Sequence, residues 1–179
     1  MNSEVKKIKR QVCLGLGSNL GDREAQIRAA LSALQEGGVT IEAVSALYET
    51  QPWGVTSQSS FLNIAILGET ALSPFAILDL AKGIEAKAGR DFEAPRWTAR
   101  PMDVDILLIE GEVIQTDKLS IPHMRMNERG FVLVPLADIA RSAIHPKQLC
   151  TVGDLLKKLP SAELAGVIKR KSVGWHETG

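Results

Sequence analysis

Asp103-Val104-Asp105-Ile106-Leu107-Leu108-Ile109 is an apolar run of branched residues that carries two carboxylates two positions apart. As a strand, with its period of two, it puts Asp103, Asp105 and Leu107 on one face and Val104, Ile106 and Leu108 on the other. Its apolar flanks assign it to the interior of a sheet. Two like charges side by side in such a place raise each other's pKa unless a cation intervenes. A fold built on this strand therefore has to bring positive charge to it. The loop just before it carries Arg90, Arg96 and Arg100. Carboxylates of this kind suit Mg²⁺, which takes one or two of them together with water and phosphate oxygens, and arginines suit the phosphates themselves. The bland alternative is a pair of surface acids on an edge strand, with each arginine simply solvated.

The rest of the chain supplies a frame for that strand. Residues 12–16 alternate as a first strand and run into a glycine-rich stretch, 15–21. Its third glycine falls one place late for Gly-x-Gly-x-x-Gly, and no Lys-Ser/Thr follows as in a phosphate loop, so it reads as a tight strand-to-helix turn. Asp22 caps a helix whose stripe is Ile27, Ala30, Leu31 and Leu34, ended by Gly37-Gly38. Residues 39–48 form a second strand, and 49–60 a loop long enough to bind something. Residues 61–69 form a third strand, with Phe61, Asn63, Ala65 and Leu67 on one face. Asn63 is polar among apolar neighbours and needs a partner, which a ligand could supply. Ser73-Pro74 opens a second helix with the stripe Ile77, Ala81, Ile84 and Ala88, closed by Gly89. A second long loop, 90–101, leads into the Asp-x-Asp strand.

This order, β-α-β-β-α-β, is the split arrangement of ferredoxin-like α+β domains, with both helices on one face of an antiparallel sheet. The remainder reads as an extension of a single domain spanning 1–179, with a core of about 11–140 and an extension over 141–179. It holds a short strand at 112–114, a helix over 131–140 bent at Pro135, and a helix over 151–159 capped by Thr151. The tail from 161 has little that fixes it.

Charge narrows the function. Twenty-one basic and twenty-one acidic residues cancel, which removes any global electrostatic case for nucleic acid or a membrane surface. Cys13 and Cys150 belong to no Cys-x-x-Cys, and no apolar run approaches the ~20 residues of a membrane span. The N-terminus has no apolar leader core. A soluble, cytoplasmic protein is expected. His123, near Arg125 and Arg129, is either a phosphate contact or a structural histidine. Phe61 and Phe131 are either core aromatics or stacking rings for a flat ligand.

Joined in order, these pieces resemble a known family. Gly17-Ser18-Asn19-Leu20-Gly21, Tyr48-Glu49-Thr50-Gln51-Pro52-Trp53-Gly54, Phe61-Leu62-Asn63, Arg96-Trp97-Thr98-Ala99-Arg100 with Asp103-Val104-Asp105, and Ile121-Pro122-His123 through Arg129-Gly130-Phe131 resemble the 6-hydroxymethyl-7,8-dihydropterin pyrophosphokinases of folate biosynthesis. The resemblance implies a ferredoxin-like αβα sandwich that transfers the pyrophosphoryl group of ATP to the pterin's hydroxymethyl group, releasing AMP. It implies two Mg²⁺ ions on Asp103 and Asp105. Arg90, Arg100 and Asp105 take the catalytic roles. Lys82, Glu85, Ile106, Lys118, His123 and Arg129, together with Trp97, Arg90 and Arg100, surround ATP. Phe61 and Phe131 sandwich the pterin, while Thr50, Pro52, Trp53 and Asn63 line its polar edge. Thr98 departs from the Gly or Ala usual there, which stiffens the loop. The partners implied are the two small-molecule substrates, with no nucleic acid or membrane and a monomer favoured. Two rivals remain open: a non-catalytic nucleotide-binding module, and a Mg²⁺-dependent transferase with another acceptor.

Overall fold

The two longest strands, β1 (Arg10–Ser18) and β4 (Phe61–Thr70), pair antiparallel along their whole length, from Arg10 opposite Thr70 to Ser18 opposite Leu62. They are the centre of an antiparallel sheet in the computed structural model, which describes residues 8–51, 59–91, 93 and 99–170. On the far side of β1 lies β5 (Asp103–Ile109). On the far side of β4 lie β2 (Val39–Val44) and β3 (Leu47–Thr50), and β10 (Val167–Arg170) adds to β3. The strand order is therefore β10-β3-β4-β1-β5, with β2 also on β4.

Two helices cover one face for the reasons the sequence advertises. α1 (Arg23–Glu36) begins where the Asp22 carboxylate accepts from the Ala25 N–H at 3.0 Å, and the chain leaves it through Gly38 at φ +100°. α2 (Pro74–Lys87) begins at Ser73, whose hydroxyl accepts from Ala76 N–H, and its exit is Gly89 at φ +90°. Ile27, Leu34, Ile77 and Ile84 from these helices pack on Leu14, Leu16, Ile64 and Val104. The opposite face is covered by α3 (Gly130–Ile139) and α4 (Val152–Lys158), which bury Cys13, Ala65, Leu107 and Leu108. Leu14 and Leu107 have no exposed surface, and each such side chain is worth about 2 kcal/mol of hydrophobic burial. Thr151 and Asp154 close a reciprocal capping box on α4, and Pro135 lies within α3. A short helix, α5 (Ser161–Ala165), precedes β10. Two small antiparallel ladders, β6 (Ile114–Gln115) with β7 (Ser120–Ile121) and β8 (Ile144–His145) with β9 (Cys150–Thr151), complete the C-terminal half.

Four expectations need correction. The second strand is two strands: at the break, Ser45 N–H still donates to Ala65 C=O, but Ala65 N–H donates to Ser45 Oγ, each at 2.9 Å, so a side chain takes over half of the ladder there. β5 is an edge strand, not an interior one. Its apolar residues are buried because helices cover both faces. Its free edge is closed by two contacts: Glu85 Oε1 accepts from Val104 N–H, and His123 N–H donates to Leu107 C=O, each at 2.9 Å. A bulge interrupts its alternation. Leu14 faces Ile106 while Cys13 faces Leu108, so Leu107 is the extra residue and Leu108 joins it on the α3 face. The part of the tail that is described, residues 161–170, is fixed after all, by the pairing of β10 with β3; residues 171–179 lie outside the described residues.

Candidate active site

Strand register places the carboxylates. Asp103 lies opposite Gly17 on β1, and Gly17 lies opposite Asn63 on β4. One step along, Asp105 lies opposite Gly15, which lies opposite Ala65. With strands about 4.8 Å apart, Asp103 and Asn63 sit roughly 10 Å from each other across a strip of sheet whose middle carries no side chain. Leu107 and Ala65 pack on the α3 side, so Asp103, Asp105, Phe61 and Asn63 all face that side too. Phe131 stands in the first turn of α3. Gly17 is thus the floor of a groove between a carboxylate edge and a Phe61–Asn63 edge, which ends at Gly15, where Leu107 Cδ1 lies 3.5 Å from the position a Cβ would take. A Cβ on Gly17 would lie 2.9 Å from Asn63 Oδ1. Gly17→Ala is expected to raise the KM for an acceptor bound at Asn63 by about tenfold, since a polar contact forced out of place costs roughly 1–3 kcal/mol. Steady-state kinetics with each substrate varied in turn checks this.

Positive charge does reach the carboxylates. Arg90 Nη1 lies 2.8 Å from Asp103 Oδ1, and Arg100 Nη1 lies 3.2 and 3.3 Å from its two oxygens. Arg90 also meets Glu85 Oε2 at 2.6 Å. Burial pushes the Asp103 carboxyl upward; Arg100 and Arg90 oppose that, while the charge of Asp105 reinforces it. Asp105 is freer, with its side chain 42% exposed and His123 Nε2 3.9 Å away. His123 Nδ1 accepts from Arg125 N–H at 3.3 Å, which leaves the proton of the neutral ring on Nε2, facing Asp105. Burial holds His123 below the usual histidine range, Asp105 working against it.

Glu85 ties the site to the fold. It is buried, and its carboxylate both caps the Val104 N–H and pairs with Arg90. Burial raises its pKa; the Val104 N–H and Arg90 lower it. Glu85→Ala is expected to destabilise the protein by about 3 kcal/mol, because it strands a buried N–H and loosens a cation. The urea midpoint measures this, and Glu85→Gln, which keeps an acceptor for Val104, should recover part of the loss.

The remaining candidates divide. Asn63 has a protein partner, donating to Thr50 Oγ1 at 2.9 Å, so the Thr50–Asn63 pair forms one polar edge. The Arg129 guanidinium lies 5.5 Å from the centroid of the Phe131 ring, and burial lowers its pKa. Ile106 belongs to the core on the α1/α2 side, so only its backbone can serve a nucleotide. Lys82 and Lys118 are exposed, on α2 and between β6 and β7. Pro52, Trp53, Arg96, Trp97 and Thr98 lie outside the described residues. Asn19 was missed as a site residue: its N–H donates to Arg100 C=O at 3.1 Å and its Oδ1 accepts from Arg100 N–H at 2.7 Å. Its position in the Gly-Ser-Asn-Leu-Gly motif was the available signal.

A model of the 7,8-dihydro-6-hydroxymethylpterin-pyrophosphokinase family matches residues 13–141. The chain belongs to that family. It is 48% identical over 129 residues to the 2-amino-4-hydroxy-6-hydroxymethyldihydropteridine pyrophosphokinase of Bacillus subtilis, covering 72% of this chain and 77% of that one. The enzyme of the same name from Methylorubrum extorquens is 43% identical over 147 residues, covering 82% and 91%. A crystal structure of Plasmodium falciparum HPPK-DHPS A437G shares the fold, with a TM-score of 0.67 at 16% identity over 87% of this chain. This chain spans 46% of that longer one. Every residue of the carboxylate cluster lies within the matched stretch.

Proposed function

We propose that the glycine-floored groove is where this chain transfers the pyrophosphoryl group of ATP to the hydroxymethyl group of 6-hydroxymethyl-7,8-dihydropterin, giving AMP and the pterin diphosphate in folate biosynthesis. The observation that carries the reading is the register Asp103–Gly17–Asn63, which puts the carboxylate with its arginines on one side of Gly17 and the Thr50–Asn63 pair on the other. ATP lies over β5, near Arg90, Arg100, His123 and Arg129; the family resemblance adds Lys82, Glu85, Trp97, Ile106 and Lys118 as its contacts. The pterin lies between Phe61 and Phe131, its polar edge read by Thr50 and Asn63, and the resemblance adds Pro52 and Trp53.

The donor set fits Mg²⁺. Among the described residues no three His, Cys, Asp or Glu side chains gather as a metal cage. Two same-face carboxylates are what Mg²⁺ uses when water and phosphate oxygens fill its other positions. Asp103 and Asp105 would hold the ions, which when bound neutralise phosphate charge and acidify the attacking hydroxyl. The protein's own groups do the rest. Arg90 and Arg100 exchange Asp103 for phosphate oxygens, a planar and bidentate match. His123 offers its Nε2 proton to a phosphate oxygen. The two phenylalanines fix the acceptor so that its hydroxyl meets the phosphate in line.

The same reading makes the chain a ferredoxin-like single domain that acts in the cytosol, as a monomer and without nucleic acid. Among the described residues no helix is long and apolar enough to cross a membrane. Nucleotide analysis tests the function. ATP is expected to yield AMP, and only when the reduced pterin is present; ADP, or no nucleotide product, sinks the reading.

A further inference from the structure

Residues 161–170 lie beyond the 13–141 stretch matched by the family, yet they touch both sides of the acceptor groove. On the Phe131 side, α5 comes so close to Gly130 that a Cβ there would lie 2.1 Å from the Glu163 carbonyl oxygen and 3.3 Å from Val167 Cγ2. Only glycine admits that approach, and Phe131 is the next residue. On the opposite side β10 pairs with β3, Val167 facing Thr50 and Ile168 facing Glu49. Thr50 in turn faces Phe61. Val167 thus abuts Gly130 with its side chain and Thr50 with its backbone.

An ion cluster fastens the same junction. Arg170 binds Glu49 Oε2, while Glu49 Oε1 accepts from the Ser60 hydroxyl and lies 3.2 Å from Arg23 Nη1. Arg23 also donates to the Ser60 carbonyl at 2.7 Å and its hydroxyl at 2.8 Å. The start of α1, the end of β3, the residue before β4 and the end of β10 therefore meet on one carboxylate whose side chain is 14% exposed. The Ser60 hydroxyl, then Arg170 and Arg23, hold that carboxyl down to about 2.

We infer that the α5–β10 segment is a positioning element for the acceptor substrate, a brace that fixes the separation of the Phe131 wall from the Thr50–Phe61–Asn63 wall. The inference rests on the acceptor reading given above. A ring sandwiched between two aromatics is sensitive to their spacing, and here, beside the direct packing of α3 on the sheet, the two walls are joined by a segment that carries no contact residue of its own.

Two full-length variants test it: Gly130→Ala, which pushes α5 away, and Arg170→Ala, which removes an exposed arm of the ion cluster and leaves the core intact. Initial rates with 6-hydroxymethyl-7,8-dihydropterin and with ATP varied separately, and single-turnover rates at saturation, are the readouts. The pterin KM is expected to rise about tenfold in each variant, as for a displaced or lost charged hydrogen bond. The ATP KM and single-turnover rate should stay within about twofold, and Arg170→Lys should restore much of the loss. A general loss of stability would lower the active fraction without this split. An unchanged pterin KM in both variants, or a parallel rise in the ATP KM, overturns the brace. A wild-type protein that releases no AMP with the pterin overturns the acceptor reading instead.

Discussion

Asp105→Asn is expected to lower turnover by about a thousandfold or more, the scale of losing a metal-holding or charge-stabilising group in phosphoryl transfer. It should leave the melting temperature within about 2 °C of the parent, as exposed substitutions do. The two halves of that expectation come from one fact. The Asp105 side chain is 42% exposed, and its ionic partner among the described residues is His123 at 3.9 Å, so the fold asks little of it. Asparagine keeps the shape and one acceptor oxygen but loses the charge. Asp103 gives a less clean experiment, because its carboxylate holds both Arg90 and Arg100, and removing it takes one carboxylate from each of two cations at a partly buried site, with Glu85 still on Arg90. Turnover should be measured with Mg²⁺ in excess, beside Mg²⁺-dependent ATP binding. Wild-type kcat in Asp105→Asn would show the metal assignment to be wrong.

The alternation that put both carboxylates on one face was legible because the polar residues themselves mark the period. The bulge that follows was not. Ile106, Leu107, Leu108 and Ile109 are all aliphatic, so a phase slip among them leaves no trace in the pattern, and only pairing with Cys13 and Leu14 exposes it. The edge position of β5 was hidden for a related reason. Burial on both faces gives an apolar run whether a strand is central or peripheral, and the groups that close the free edge, Glu85 and the His123 N–H, come from 19 and 16 residues away from their partners Val104 and Leu107.

The glycines show the limit of local reading from another side. Gly15 and Gly17 read as part of a strand-to-helix turn; both lie within β1, and the turn into α1 begins only after Ser18. The place of Gly17 between Asp103 and Asn63 depends on which strands flank β1, and that is a property of topology rather than of spacing. Glu49 looked like the first residue of a loop because Pro52 and Gly54 follow closely. It is instead paired on both sides, with Leu62 and Ile168. β10 is four residues long and has no turn signal ahead of it strong enough to declare a strand. What fixes it is the partner edge it finds.

Arg100→Ala is expected to lower kcat by about a hundredfold to a thousandfold, the usual scale for a guanidinium that stabilises charge on a transferring phosphoryl group. The pterin KM should change by less than about fivefold, since under the proposed function the lost contact serves the phosphates and not the acceptor. The structure explains why the two effects should separate. The Arg100 backbone is held on both sides by Asn19, through N–H to C=O at 3.1 Å and Oδ1 from N–H at 2.7 Å, so truncating the side chain leaves the Arg100 backbone tied to the turn after β1. What is lost is the guanidinium that rests on Asp103 at 3.2 and 3.3 Å, with Arg90 still in place to balance that carboxylate. Arg100→Lys should recover only part of the rate, because an ammonium keeps the charge but not the planar two-point contact. Single-turnover kinetics decide the matter: weakened pterin binding with an unchanged rate of transfer would assign Arg100 to ground-state binding and leave Arg90 as the arginine that acts in the transition state.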